Sequence, residues 1–254
     1  MAVLALRINQ LVPVDWLVDL TWPESPPQTA RHSIHVRVSR LRAVLANAGA
    51  GRDEVEIITH GATYVLRADP MYVDAHRFRA LVRAARVAPN DDEKGLLLRR
   101  ALDMWHGPPL ADVATPLTDQ LCRGLEEARL AALEEWLDAE LRLGRHCDVI
   151  DELTEFAMQY PHRQRLLAQL MLALYRAGRA PDALDAYRIA RSRLIEELGL
   201  DPGNQLQQLE QAILCADPAL ELPQQRTTPQ RTVRRRPSDG AADEFRVIRP
   251  DLRP

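Results

Sequence analysis

One stretch of the sequence concentrates side chains that can bind nucleic acid. Thr29 to Leu45 carries four arginines and two histidines but no aspartate or glutamate. When a helix advances at about 100° per residue, the apolar residues fall on one narrow stripe: Ile34, Val38, Leu41 and Leu45. The remaining surface carries basic, polar and small side chains: His32, His35, Val36, Arg37, Ser39, Arg40, Arg42 and Ala43. Such a helix can pack on a core through one face and enter the DNA major groove with the other. The alternative is a solvated surface helix, although those normally mix charges of both signs.

Metal binding and catalysis fit these residues less well. His32 and His35 lie three positions apart and could share a metal ion, but no cysteine or acidic residue nearby completes a site. The sequence also contains no Cys-x-x-Cys, His-Glu-x-x-His or Gly-x-Ser-x-Gly motif and no Gly-x-x-x-x-Gly-Lys-[Ser/Thr] loop. We therefore expect neither an enzyme nor a protein that requires a metal or another cofactor.

The residues before the basic stretch predict two helices that support it. Ala2–Leu11 is apolar with helical character. Pro13 can occupy the first turn of a second helix, Val14–Trp22, because its missing N–H needs no partner there. Pro23–Pro27 then breaks the chain, and Thr29 is a suitable N-cap for the basic helix.

The residues after the basic stretch predict a β-hairpin. Val55–Thr59 and Thr63–Arg67 are rich in β-forming residues, and Gly61 between them permits a positive φ. Helix, helix, basic helix and hairpin is the order of a winged helix-turn-helix, whose third helix reads the major groove. His60 and Arg67 could then contact a flanking phosphate or the minor groove from the wing.

The middle of the chain predicts an array of helices. From Asp74 nearly every segment shows helical spacing, and Leu143-Gly144-Arg145 recurs 34 residues later as Ala177-Gly178-Arg179. Thirty-four residues is about the period of tetratricopeptide repeats, whose helical hairpins must stack to bury their apolar faces. We expect a tetratricopeptide-like array over residues 74–217.

Both halves of the chain resemble one family of regulators. LVPVDWLVDLTWPESPPQTARHSIHVRVSRLRAVL, followed by IITHGATYVLR, resembles the DNA-binding domain of the Streptomyces antibiotic regulatory protein (SARP) family. LYRAGRAPDALDAYRIARSRLIEELGLDPGNQLQQLEQAIL, together with MWHGPPLAD upstream, resembles the bacterial transcriptional activation domain that follows it in that family. The resemblance implies a mainly α fold, with a winged helix-turn-helix over residues 1–68 that lacks the family's N-terminal sheet. Without that sheet, the wing would have no strand partner.

The resemblance also suggests roles for individual residues. The core Val36-Arg37-Val38-Ser39-Arg40-Leu41-Arg42 matches the family's recognition helix, so Arg40 and Arg42 are expected to contact the groove and phosphates. His32 and Arg37 are expected at phosphates, and Val36 can touch a thymine methyl group. At the wing, Tyr64 is retained, and the resemblance implies that it also contacts DNA. Two protomers on tandem direct repeats are the arrangement that the family implies.

Charge is distributed unevenly along the chain. Residues 1–67 carry 7 basic and 6 acidic groups, residues 68–223 carry 18 and 26, and residues 224–254 carry 8 and 4. Residues 218–254 are polar with little apolar content, which predicts a disordered basic tail. Such a tail could add salt-sensitive DNA affinity or serve only as a solvated linker.

The sequence is compatible with two functions. The first is a DNA-binding activator whose helical array contacts RNA polymerase, a sigma factor or a second protomer. The second is a tetratricopeptide-like interaction adaptor with a vestigial DNA-binding domain. Three widely spaced cysteines and the lack of a long apolar run predict a cytoplasmic protein that does not enter a membrane.

Overall fold

The computed structural model describes residues 1–48, 55–111 and 116–222. Its first part contains three helices and a small sheet, as the sequence predicts for a winged helix-turn-helix. In chain order these elements are α1 (Ala2–Leu6), β1 (Val12–Pro13), α2 (Val14–Thr21), α3 (Ala30–Asn47), β2 (Val55–His60) and β3 (Thr63–Ala68). Thr29 precedes α3, but its side chain makes no capping hydrogen bond.

The first helix is shorter than the predicted Ala2–Leu11. It ends at Leu6, and Asn9 adopts a left-handed φ of 59°, which a continuing α-helix does not allow. The Asn9 side chain donates to the carbonyl of Ala68 at 2.9 Å and accepts from the Ala68 N–H at 3.2 Å. Pro13 lies in β1 and at the N-cap of α2, and not in the first turn of a helix as predicted.

The sheet has the antiparallel order β1-β3-β2. Val12 lies opposite Tyr64, so β1 provides the strand partner that the resemblance did not predict for the wing. Gly61 joins β2 to β3 with a φ of +58°, as predicted for the turn. The sheet and the three helices share one apolar core, whose buried members are Leu4, Ile8, Val12, Val14, Val18, Ala30, Ile34, Val38, Ile57, Tyr64 and Leu66.

Helices make up the second part, as predicted. They are α4 (Asp74–Arg86), α5 (Asp91–Leu102), α6 (Pro116–Arg142), α7 (His146–Gln159), α8 (Gln164–Arg176), α9 (Ala180–Leu198) and α10 (Asn204–Leu214). Neighbouring helices in sequence pack in pairs and bury a separate apolar core that runs from Phe78 to Ile213.

The 34-residue period of the sequence is visible in the backbone. Gly144 lies in the α6–α7 turn with φ +79°, and Gly178 lies in the α8–α9 turn with φ +76°. In the first turn Arg145 N–H donates to Glu140 O, and in the second Arg179 N–H donates to Leu174 O. Both turns are therefore closed by the same hydrogen bond at equivalent positions.

Ordered structure continues past the predicted start of the tail at residue 218. A 3-10 turn covers Pro218–Leu220, and the Asp217 carboxylate accepts the N–H of Ala219. Arg176 Nε donates to the carbonyl of Leu220 at 2.8 Å, which ties this segment to α8. Residues 223–254, where the remainder of the predicted tail falls, lie outside the described residues. In the described part of the chain, no helix is long and apolar enough to cross a membrane.

Candidate nucleic-acid interface

Helix α3 is anchored through the apolar stripe that its sequence predicts. Ile34 and Val38 are buried in the core, and Leu41 and Leu45 are half-buried against it. Arg31 at the start of α3 forms an ion pair with Asp15 of α2 at 2.7 Å. These contacts fix which face of α3 turns to solvent.

A second set of contacts fastens α3 to the wing. Arg42 Nε donates to the carbonyl of Ile57 at 2.8 Å, and its Nη2 donates to Thr59 Oγ1 at 2.7 Å. The same guanidinium lies 5.9 Å from the centre of the Tyr64 ring. The guanidinium is planar and carries several donors in fixed directions, so it reaches both strand positions at once. Arg42, predicted as a DNA contact, therefore bridges α3 and β2 within the fold.

His35 and Tyr64 form the other link between helix and wing. The Tyr64 hydroxyl and His35 Nδ1 share a hydrogen bond of 2.5 Å, and the two rings meet edge to face. Tyr64 is only 2% exposed. The predicted contact of Tyr64 with DNA is thus inconsistent with its position, because its ring is in the core and its hydroxyl already has a partner. The alternation of side chains along a strand could have indicated this burial, because Tyr64 lies on the same face of β3 as Leu66, which is also buried.

The centre of the outer face of α3 is open to solvent. His32, Ser39 and Arg40 are exposed, and none makes an ion pair or side-chain hydrogen bond within the described residues. Val36 lies among them and is 37% exposed, although it is apolar. Arg37 is also exposed, with its guanidinium 5.6 Å from the centre of the Trp22 ring. This face offers hydrogen-bond donors and one apolar side chain with no acidic residue on the helix.

The wing adds a smaller basic surface. His60 ends β2 and is exposed beside the turn. Arg67 on β3 is exposed too, but its Nη1 lies 3.2 Å from a carboxylate oxygen of Glu56 on the paired strand. A phosphate would therefore compete with Glu56 for Arg67, whereas His60 makes no such pair within the described residues.

Within residues 1–48, 55–111 and 116–222, no group of three histidine, cysteine, aspartate or glutamate residues is placed to hold a metal ion. The basic face of α3 remains the strongest concentration of functional side chains.

The chain matches one protein family and is similar to known regulatory proteins over most of its length. Residues 73–214 match the family described as the bacterial transcriptional activator domain. The regulatory protein DnrI of Streptomyces peucetius is 34% identical over 230 residues, which cover 87% of this chain and 84% of DnrI.

Two further relatives are longer than this chain. The transcriptional regulator RedD of Streptomyces coelicolor is 37% identical over 87% of this chain and 65% of its own length. The regulatory protein AfsR of Streptomyces coelicolor is 39% identical, but the chain spans only 22% of it. Among solved structures, Mycobacterium tuberculosis EmbR in complex with a low affinity phosphopeptide superposes with a TM-score of 0.78 and 34% identity. That match covers 85% of this chain and 59% of the EmbR chain.

Proposed function

Because the chain belongs to the SARP family of transcriptional regulators and carries a bacterial transcriptional activator domain, we propose that it activates genes by binding promoter DNA through α3 and the wing. It is a regulator rather than an enzyme. We further propose that it acts in the cytoplasm on tandem direct repeats and controls genes of secondary metabolism, as the family resemblance implies.

The outer face of α3 is the observation that carries this proposal. His32, Ser39 and Arg40 are exposed and their side chains bond to no described residue, and α3 contains no acidic residue from Ala30 to Asn47. Arginine can donate two hydrogen bonds to a guanine edge, and an apolar side chain such as Val36 can contact a thymine methyl group. We assign His32, Val36, Arg37, Ser39 and Arg40 to DNA contact. His35 and Arg42 hold α3 on the wing.

Electrostatics favours binding through the N-terminal part. Residues 68–223 carry 18 basic and 26 acidic groups, so the helical array repels a phosphate backbone overall. Asp15 is already paired with Arg31, and Glu56 with Arg67. The basic face of α3 concentrates positive charge in a protein whose net charge is −3, and it would orient the duplex.

The proposal is tested by selecting duplexes from a random pool with the full chain and then measuring binding by fluorescence anisotropy. We expect enrichment of a direct repeat. Arg40→Ala should weaken binding to that duplex by about 1–3 kcal/mol if Arg40 reads a base edge. The matched control is Arg100→Ala, which removes from α5 an exposed arginine that makes no ion pair with any described residue. Its affinity should equal that of the original chain.

Two results would contradict the proposal. A pool with no enriched sequence would favour the interaction adaptor, in which the winged domain is vestigial. Equal losses from Arg40→Ala and Arg100→Ala would indicate nonspecific attraction of DNA to positive charge rather than readout by α3.

We propose that the helical array recruits RNA polymerase, through a core subunit or a sigma factor. The support is the activator domain that spans residues 73–214 and its separate apolar core, which leaves the winged domain free for DNA. Run-off transcription from the selected duplex should increase when the full chain is added to polymerase holoenzyme. Unchanged transcript levels with the duplex fully bound would contradict recruitment without affecting the DNA-binding proposal.

A further inference from the structure

A cavity of about 460 Å³ lies where the winged domain meets the helical array. Its lining includes Leu6 of α1, Phe78 of α4, Leu125 of α6 and the connection from Met104 to Ala111. The volume falls within the range of small-molecule sites, which is about 300–1,000 Å³. Neither the DNA contacts nor the proposed recruitment of polymerase uses this space.

The walls of the cavity are mainly apolar and aromatic. Phe78 is buried, and its ring meets Trp105 edge to face with centroids 5.5 Å apart. Arg129 lies 5.3 Å from the Trp105 ring centre and helps to hold the indole in place. A preformed aromatic wall of this kind favours a flat aromatic ligand, which it can contact without rearrangement.

Two exposed polar residues in the lining can accept hydrogen bonds. His106 Nδ1 lies 3.0 Å from the carbonyl of Met104, so the proton of the neutral ring is on Nδ1 and Nε2 is an acceptor. One carboxylate oxygen of Asp74 accepts the N–H of Ala75, which leaves the other oxygen available. A ligand that matches both groups must carry hydrogen-bond donors.

The backbone around the cavity is held in unusual conformations. Leu110 has a left-handed φ of 55°, which is uncommon for a residue with a branched side chain. The preceding segment is fixed by a hydrogen bond from Cys122 Sγ to the carbonyl of Pro109. Strain of this kind is often found at ligand sites, where surrounding contacts maintain it.

We propose that this cavity binds a small aromatic molecule with a hydroxyl or amino donor, and that the bound molecule modulates the regulator. Leu6 belongs to the winged domain, and a hydrogen bond of 3.1 Å between His76 Nε2 and the carbonyl of Ala5 also crosses the junction. A ligand that packs on Leu6 touches both parts of the protein. Its effect on DNA rests on the proposed function, whereas its binding does not.

The binding test uses N-phenyl-1-naphthylamine, a neutral aromatic probe with one N–H donor, and requires no DNA. Its fluorescence should rise saturably with one site per chain. Ala75→Phe fills the cavity from α4 and should weaken binding at least tenfold. Ala186→Phe obstructs a different apolar groove, between α7 and α9, and should leave the affinity within twofold. The N-methylated probe, which lacks the donor, should bind several-fold more weakly.

Fluorescence without saturation, or saturation that Ala75→Phe does not affect, would overturn the site. Equal affinity for the two probes would overturn the assigned ligand chemistry. If circular dichroism shows that Ala75→Phe is unfolded, Ala111→Phe fills the same cavity from the connecting segment and decides the question. For the regulatory half, saturating probe should change duplex affinity by at least threefold. An unchanged affinity with the site occupied would overturn modulation alone.

Discussion

Arg40 and Arg42 are two positions apart on α3, yet they have different surroundings. Arg40 is exposed without an intramolecular partner in the described structure, whereas Arg42 donates to Ile57 O and Thr59 Oγ1. Hydrogen bonds from a charged donor contribute about 1.5–3 kcal/mol, with less expected where solvent competes. Arg42 therefore stabilises the fold, whereas Arg40 is available to a ligand.

Arg42→Gln tests this division of roles. We expect the variant to unfold at a temperature several degrees lower and to bind the selected duplex more weakly, because α3 loses the hydrogen bonds that Arg42 donates to β2. The slope of log affinity against log salt should stay unchanged, since no phosphate contact is removed. Arg40→Gln is the matched control and should leave the unfolding temperature unchanged. A slope reduced by about one in Arg42→Gln, with normal stability, would show instead that Arg42 neutralises a phosphate.

At the scale of the elements, ion pairs join neighbouring helices of the array. Arg142 at the end of α6 donates two hydrogen bonds, of 2.8 and 2.7 Å, to the carboxylate of Asp91 at the start of α5. The Arg142 guanidinium lowers the pKa of Asp91 below its ordinary value of 3.8. The unfolded chain therefore binds more protons at this residue than the folded chain in the acidic range.

Asp91→Asn should consequently have an effect that depends on pH. The stabilisation is complete well above pH 3.8 and is lost as the pH falls through the lowered pKa of the folded state. We expect a loss of about 0.5–1 kcal/mol in the free energy of unfolding at pH 7, because the pair is partly exposed. The difference from the original chain should shrink below pH 3 in urea denaturation. Asp185→Asn, in an exposed pair within α9, is the control. A constant difference across this range would contradict the linkage.

The elements differ in how far the sequence could predict them. Long amphipathic helices such as α3 were predictable because their apolar residues recur with the helical period over a continuous stretch of sequence. Strand β1 has two residues, too few for a pattern, and exists because Val12 pairs with Tyr64, 52 positions later in the chain. Likewise, the basic character of Arg42 was evident, but its partners on β2 depend on how helix and sheet pack. Local periodicity thus predicted the recognition helix, whereas tertiary contacts determined which of its residues are free.

At the scale of the whole molecule, the described residues contain one helix and one wing that could read DNA, so we expect one chain to bind one short half-site. A single DNA-binding module buries about 600–1,000 Å² of protein surface, which limits the specificity of one copy. Tandem direct repeats would place two chains in the same orientation, with unlike surfaces of the two copies facing each other. Contact between neighbouring chains should then make binding cooperative.

Changing the spacing between the two repeats tests this assembly. DNA turns once in about 10–10.5 base pairs, so inserting five base pairs moves the second chain to the opposite side of the duplex. We expect cooperativity to disappear with five inserted base pairs and to return partly with ten, as measured by the Hill coefficient in anisotropy titrations. The affinity of one chain for a single repeat should not depend on the spacing, because we expect α3 and the wing of that chain to contact one repeat only. Cooperativity that is absent at every spacing would show that the chains bind independently, and the acidic surface of the array would then separate neighbouring copies rather than join them.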